Sequence, residues 1–376
     1  MSLEKSLAKL VSFNTVSGNH YEIERAFDWI RDEIQDLPLV VREYRFGGHH
    51  SLVILTRNTK SPKVWLAAHL DVVPGSEDQF KFTKRGKKWC GRGTSSMKYA
   101  IACYLELLKD IARHAPDYNL GIMLTSDEEV GGYDGTKALL NKRGYSGECA
   151  LLPDEATSWH MEEWAKGLYG FKLIAEGHAV HGARPWKGKN AILMLCSFIT
   201  ELQQEFEAEF QPTQDNHWHS TLSVGMMYGG IAFNQVPRRA EAHMDMRYVS
   251  LDDRKVFAQM LKRLTKRYPG ISVQKILDER DYGIRKDNQE AQRFISLARE
   301  LAGKEVNWEQ SDSSSDARFF AQKGIPTLRI GPTGGGVHSD AEWIDGDDLK
   351  QYYRVMRAWV KEVALEPRSK SKRPKK

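Results

Sequence analysis

Seven residues of this chain could hold or move charge at one centre. They are His69 and Asp71 in His69-Leu70-Asp71, the pair Glu128-Glu129, the pair Asp154-Glu155, and His338. Imidazole nitrogen and carboxylate oxygen are the atoms zinc takes, and a carboxylate beside such a centre can serve as general base. Singly, each residue is more often a solvated surface group, so only the ordered set has weight. Between its first two groups lies Gly91-Arg92-Gly93-Thr94-Ser95-Ser96-Met97-Lys98, a glycine-rich turn that offers hydroxyls and no carboxylate.

The elements that must position these groups alternate as an α/β fold requires. Apolar residues recur at helical spacing over 21–37 (Ile23, Phe27, Ile30, Ile34), while 64–68 is a short apolar run that predicts a buried strand. A helix is expected over 97–111, then strands over 120–125 and 149–152, each ending just before a candidate ligand. In mostly parallel sheets functional groups collect beyond the carboxyl ends of the strands, so three such ends can bring His and acids together. The middle of the chain predicts strand 167–176, helix 191–210, strands 220–228 and 241–247, helix 254–268 and strand 271–277. This β-α-β-β-α-β order fits a small ferredoxin-like α+β sandwich inserted into a larger domain. Helix 288–302, helix 317–323, strand 327–330 and helix 347–363 complete the reading. It gives a discontinuous catalytic domain (1–165 and 279–367), an inserted lid or dimerisation domain (166–278) and a basic disordered tail (368–376).

Composition narrows the function. At 376 residues and 43.0 kDa, two domains are the default. The apolar runs are too short for a membrane span and the first ten residues lack an apolar signal core. Cys90, Cys103, Cys149 and Cys196 form no C-x-x-C pair, which suits reduced thiols in a cytoplasmic protein. Six basic residues fall in the last nine, so the net charge of +5 becomes −1 without them. A body near neutrality argues against nucleic acid as partner.

The segments AAHLDVVPG (67–75), GRGTSSMK (91–98), LTSDEEVGG (124–132), PDEATS (153–158), HGARPWKGKNAI (181–192), FNQVPRRAEAHMDMRY (233–248), SSDARFF (314–320) and GPTGGGVHSDAEWI (331–344) stand in an order that resembles one family. It is the dinuclear zinc aminoacylase and carboxypeptidase family that includes succinyl-diaminopimelate desuccinylase and acetylornithine deacetylase. The resemblance implies that His69 and Glu155 bind one ion and Glu129 and His338 the other, with cobalt or manganese as alternatives to zinc. It implies that Asp71 orients His69 and that Glu128 is the general base. His181 matches a residue that relatives present to the partner subunit's active site, which implies a homodimer. Asn234, Arg247 and Arg318 match positions that hold a substrate carboxylate or reaction-centre oxygen; Arg184, beside Pro185, also favours a carboxylate-bearing substrate or simply closes a turn. The implied substrate is a small N-acyl amino acid or dipeptide, cleaved at its amide bond.

Ser96 departs from the pattern, because the family's bridging Asp belongs there. Two divalent ions at roughly 3.5–4 Å repel by about fourfold the ~4 kcal/mol of a unit-charge pair at an effective dielectric of 20, and a neutral hydroxyl does not offset that. Each ion would also be left with two family ligands, fewer than the three of catalytic zinc. Weakened metal binding, with one ion or none, is therefore expected. Three readings follow: a working hydrolase with one metal, an Asp→Ser variant of an enzyme, or a relative that binds ligand without hydrolysis. Asp154 and Glu155 both remain open as the ligand on the His69 side.

Overall fold

The computed structural model describes residues 2–211 and 218–366. The basic tail (368–376) therefore lies outside the described residues. Two compact units divide the chain: one of residues 1–163, 283–309 and 315–376, the other of residues 164–282 and 310–314.

The larger unit is a mixed α/β layer around a six-stranded sheet. Its strands are β1 (Val40–Phe46), β2 (His49–Leu55), β3 (Val64–His69), β4 (Leu120–Thr125) and β5 (Cys149–Leu151), with Thr327–Leu328 at the edge. The spatial order is β1-β2-β4-β3-β5-edge. The three junctions among β4, β3, β5 and the edge strand are parallel, while β1 joins β2 and β2 joins β4 antiparallel. The sheet is thus parallel only where the candidate ligands emerge. The antiparallel hairpin was not expected from periodicity, yet its turn has a local signature. Phe46 pairs with His49, so Gly47-Gly48 is a two-residue loop, and both glycines have positive φ (54° and 87°).

Every residue of β3 and β4 is buried, which is why these strands read as apolar runs without alternation. The helix Lys98–Ile111 lies against β3 and supplies the buried Tyr99 and Tyr104. Tyr104 Oη donates to the Ala67 carbonyl (3.1 Å) and Tyr99 Oη to the Pro153 carbonyl (2.6 Å), so this one helix pins the backbone before two ligand-bearing ends. A second, small sheet joins Lys88–Cys90 to Trp343–Asp345, and the latter to Gly334–Gly335. It ties the glycine-rich turn to the loop that carries His338.

The inserted unit has β6 (Gly167–Glu176), β7 (Thr221–Gly229), β8 (Arg239–Tyr248) and β9 (Ile271–Glu279), with helices Ala191–Glu209 and Leu251–Arg267. The spatial order β7-β8-β6-β9 is antiparallel throughout, the ferredoxin-like arrangement that the element order predicts. β6 and β8 alternate buried and part-exposed residues, and the buried face packs Phe171, Leu173 and Met244 on Phe198 and Phe257 of the helices.

Candidate metal centre

Because β3, β4 and β5 run parallel, their carboxyl ends share one edge of the sheet. His69 ends β3, Glu128 and Glu129 form the turn after β4, and Asp154 and Glu155 follow β5.

His69 is buried, at 3% exposure. Its Nδ1 lies 2.9 Å from the Asp71 carbonyl oxygen, which can only accept, so this nitrogen carries the proton. Its Nε2 lies 3.5 Å from Asp154 Oδ1 and 3.8 Å from Glu128 Oε2. His69, Glu128 and Glu129 each present a ligand atom within 4.8 Å of the others. On the other side His338 Nε2 is 3.2 Å from Glu129 Oε1.

Asp71 reaches the His69 ring with two groups. The nearer contact is its carbonyl; the carboxylate Oδ1 is 3.5 Å away. That carboxylate also accepts the backbone N–H of Glu128 (3.3 Å) and Glu129 (3.1 Å) and the Ser17 hydroxyl (2.9 Å). Asp71 therefore fixes the start of the Glu128–Val130 turn as well as the ring of His69. Gly131 and Gly132, at φ 114° and 66°, let the chain leave the turn.

Glu155, expected to share an ion with His69, presents its carboxylate to Arg329 (3.6 Å) and keeps 40% side-chain exposure, whereas Asp154 is buried. Arg329 also donates to the Asp154 carbonyl (3.0 Å) and pairs with buried Glu162. Four non-glycine residues among those described have positive φ, and Glu155 (64°) and His338 (61°) are two of them. Such backbone costs of order 1–3 kcal/mol per residue and persists where the surroundings impose it, commonly at functional sites.

Ser96 is buried in the turn before the helix. The turn is held by a residue that sequence reasoning passed over. Glu342, fully buried, accepts from the backbone N–H of Gly93 (2.9 Å), Ser95 (2.9 Å) and Ser96 (3.0 Å) and from Arg92 Nη1 (3.0 Å). It lay in the segment GPTGGGVHSDAEWI, but nothing local marks a Glu that serves a turn some 250 residues away. The carbonyls of Ser95 and Ser96 accept from the N–H of Ala156 (2.7 Å) and Glu155 (2.9 Å), so the hydroxyl turn and the Asp154-Glu155 loop are stitched together.

The electrostatics follow from burying acids beside one imidazole. Burial opposes charge on His69, but hydrogen bonding to Asp154 and Asp71 and the charge of Glu128 outweigh it and raise its pKa well above the ordinary value. Burial, then the Asp154 charge, raises Glu128 well above the carboxylate range. Burial pushes Asp154 up as well, yet its hydrogen bond to His69 and the charge of Arg329 leave it low. The hydrogen bond to Glu129, reinforced by that charge, raises His338. Clustered imidazole nitrogens and carboxylate oxygens, with the far nitrogen of His69 bound to a carbonyl, fit a divalent ion such as zinc, cobalt or manganese.

The expected substrate residues belong to both units. Arg318 is buried and donates to the Ser315 (2.8 Å) and Gly131 (2.7 Å) carbonyls, which makes it a brace for the Glu128–Gly132 loop. On the inserted unit Arg247 forms a two-pronged pair with Asp245 (2.8 and 3.1 Å). There Gly182 N donates to the Asn234 carbonyl (2.7 Å) and His181 bridges to Gln235, so the His181 and Asn234 loops are joined. Arg184 is exposed at the start of the Pro185–Lys187 turn. All four cysteines are free, and no described helix is long and apolar enough to cross a membrane.

A probable carboxypeptidase of Aspergillus clavatus is 26% identical over 293 residues, 73% of this chain and 68% of that protein. Succinyl-diaminopimelate desuccinylase of Rickettsia felis is 25% identical over 382 residues, 95% of this chain and 98% of that protein. A tripeptidase of Staphylococcus aureus has the same fold, with a TM-score of 0.76 at 19% identity over 96% of this chain and 97% of that one. The family model of Peptidase family M20/M25/M40 matches residues 65–362, and the chain belongs to that family.

Proposed function

We propose that this chain is a metal-dependent amidohydrolase that releases an acyl group or a terminal residue from a small N-acyl amino acid or short peptide. The observation that carries the reading is the convergence of His69, Asp154, Glu128, Glu129 and His338 beyond the carboxyl ends of parallel strands. A divalent ion held by these side chains supplies a Lewis acid that acidifies water and polarises the scissile carbonyl. Glu128 is the proton carrier. Burial among acids keeps its proton affinity high, which suits a base that takes a proton from the attacking water and gives it to the leaving nitrogen. Asp71 holds the Glu128-Glu129 turn in place through two N–H bonds. His181, with Asn234 on the loop joined to it, is assigned to the developing oxyanion in the partner subunit's site, and the exposed Arg184 to a substrate carboxylate.

A homodimer and a cytoplasmic setting belong to the same proposal. β7 is an edge strand that exposes Val224, Met226, Met227 and Tyr228, and Ile231 and Phe233 beyond it are 93% and 104% exposed. An apolar edge of this kind is a liability in a monomer and a pairing surface in a symmetric dimer. The test of function is hydrolysis of a panel of N-acetyl and N-succinyl amino acids and dipeptides with zinc or cobalt, comparing this chain with Ser96→Asp. Hydrolysis that rises in Ser96→Asp, together with a second bound ion, supports the reading. No gain in Ser96→Asp over the whole panel favours a binding protein, and two zinc ions per chain with Ser96 in place would refute the argument from the missing bridge.

A further inference from the structure

We propose that one face of the small sheet beside the glycine-rich turn is a binding site for a small multivalent oxyanion, a phosphate or a dicarboxylate, and that its occupant steadies the turn. Among the described residues none of the candidate metal ligands lines it, and binding there does not depend on the hydrolase reading.

The register of three strands builds the face. Thr83–Arg85 pairs antiparallel with Lys88–Cys90, which pairs in turn with Trp343–Asp345. Side chains alternate along a strand, so Trp89 and Ile344 turn inward and are buried, while Thr83, Arg85, Lys88, Cys90 and Trp343 share the other face. Those five floor a cavity of about 430 Å³, walled by parts of 76–81 and by 340–342. That volume lies within the range of small-ligand sites.

The charges on this face do not balance. Arg85 stands directly opposite Lys88 in the strand pair, and like charges so placed repel. Asp345, across from Lys88 on the other side, uses its carboxylate to cap the last helix at the N–H of Asp347 and Asp348. Asp78 pairs with Lys81 at 2.7 Å, and Glu342 is taken up by the turn and Arg92. Asp340 on the wall is then one carboxylate against two cations. Among the described residues neither Arg85 nor Lys88 has an ion-pair partner. Lys88 Nζ sits instead over the Trp343 ring, 3.8 Å from its centroid, which holds the ammonium in place. A guanidinium fork beside a positioned ammonium suits an oxyanion of more than one charge.

The site adjoins the turn through the backbone. Cys90 is followed by Gly91, whose N–H donates to the Glu342 carbonyl (3.3 Å), and the Glu342 carboxylate holds the N–H groups of Gly93, Ser95 and Ser96. An anion that ties Arg85 to Lys88 also ties together the strands from which this turn departs.

Cys90 on the floor is the reporter. The full chain with Cys196→Ser loses its exposed cysteine and keeps Cys103 and Cys149 buried. It is alkylated with N-ethylmaleimide in inorganic phosphate, in succinate, or in chloride at equal ionic strength, and intact mass reads the rate. Phosphate or succinate is expected to slow alkylation saturably, by about threefold or more over chloride, and to slow amide exchange at Gly93, Ser95 and Ser96. Both effects disappear in Arg85→Gln with Lys88→Gln, which thermal melting shows to be folded. Protection by phosphate alone assigns a phosphate ligand, and by succinate alone a dicarboxylate. Rates equal to chloride in both anions, or protection that persists in the double variant, overturn the site. Protection with unchanged amide exchange overturns its link to the turn.

Discussion

Glu342→Gln is the substitution whose effect the structure determines most closely. Glu342 Oε1 accepts from the N–H of Ser95 and Ser96, and Oε2 from the N–H of Gly93 and from Arg92. Both oxygens are used and the side chain is fully buried. Glutamine keeps the shape but has one oxygen. Whichever way the amide turns, its NH2 confronts two donors, either Ser95 with Ser96 or Gly93 with Arg92. Two hydrogen bonds to a charged acceptor, at ~1.5–3 kcal/mol each, are then lost. Breaking a buried ion pair from one side costs about 3–5 kcal/mol, which agrees. Against a typical stability of roughly 5–15 kcal/mol this is a large fraction. Urea unfolding followed by tryptophan fluorescence reads the loss, evaluated on the first transition because two units need not unfold together. Amide hydrogen exchange reads the cause, with faster exchange at Gly93, Ser95 and Ser96. A loss below about 1 kcal/mol with unchanged exchange at those amides would refute the assignment of Glu342 as the anchor of the turn.

Three further outcomes are expected. Gly132→Ala places a Cβ 2.0 Å from Asp316 Oδ1 at a φ of 66°; strain alone costs about 1–3 kcal/mol, and hydrolysis falls because this residue closes the Glu128-Glu129 loop. Lys98 is fully buried with its Nζ on the Phe13 carbonyl, and burial pushes its pKa down to about 7. Between about pH 7 and 10 the unfolded chain holds the proton that the folded chain lacks, so stability rises with pH over that window, by on the order of 4–5 kcal/mol in all, and the penalty is complete below about pH 7. Denaturation of Lys98→Met at pH 7 and 9 should lack most of that rise. On the inserted unit, Val224→Lys with Met227→Lys sets charge on the β7 edge and should yield monomers by sedimentation, while a dimer unchanged by both would place the interface elsewhere.

The strands and helices that carry the site were legible because their signals are local. The all-apolar run at β3 and the helical spacing after the glycine-rich turn follow from burial on both faces and on one stripe. The β1–β2 hairpin escaped because β2 is buried at almost every residue and shows no alternation, although Gly47-Gly48 marks its turn. Arg318 and Arg247 matched substrate positions by their segments, yet each guanidinium is engaged within its own unit, with carbonyls and with Asp245. Sequence order names a residue type at a place and says nothing of which acceptor reaches it first.

What the sequence determined by itself is the inventory: His and acids at strand ends, a turn of hydroxyls before the helix, and a sandwich inserted between two halves of a larger domain. The tertiary structure decided which of two adjacent acids faces His69. Asp154 and Glu155 are equal candidates along the chain. The pull of Arg329 on Glu155, the grip of Tyr99 on Pro153 and the pairing of the loop with the Ser95-Ser96 turn are contacts between segments far apart in sequence, and they turn Asp154 inward.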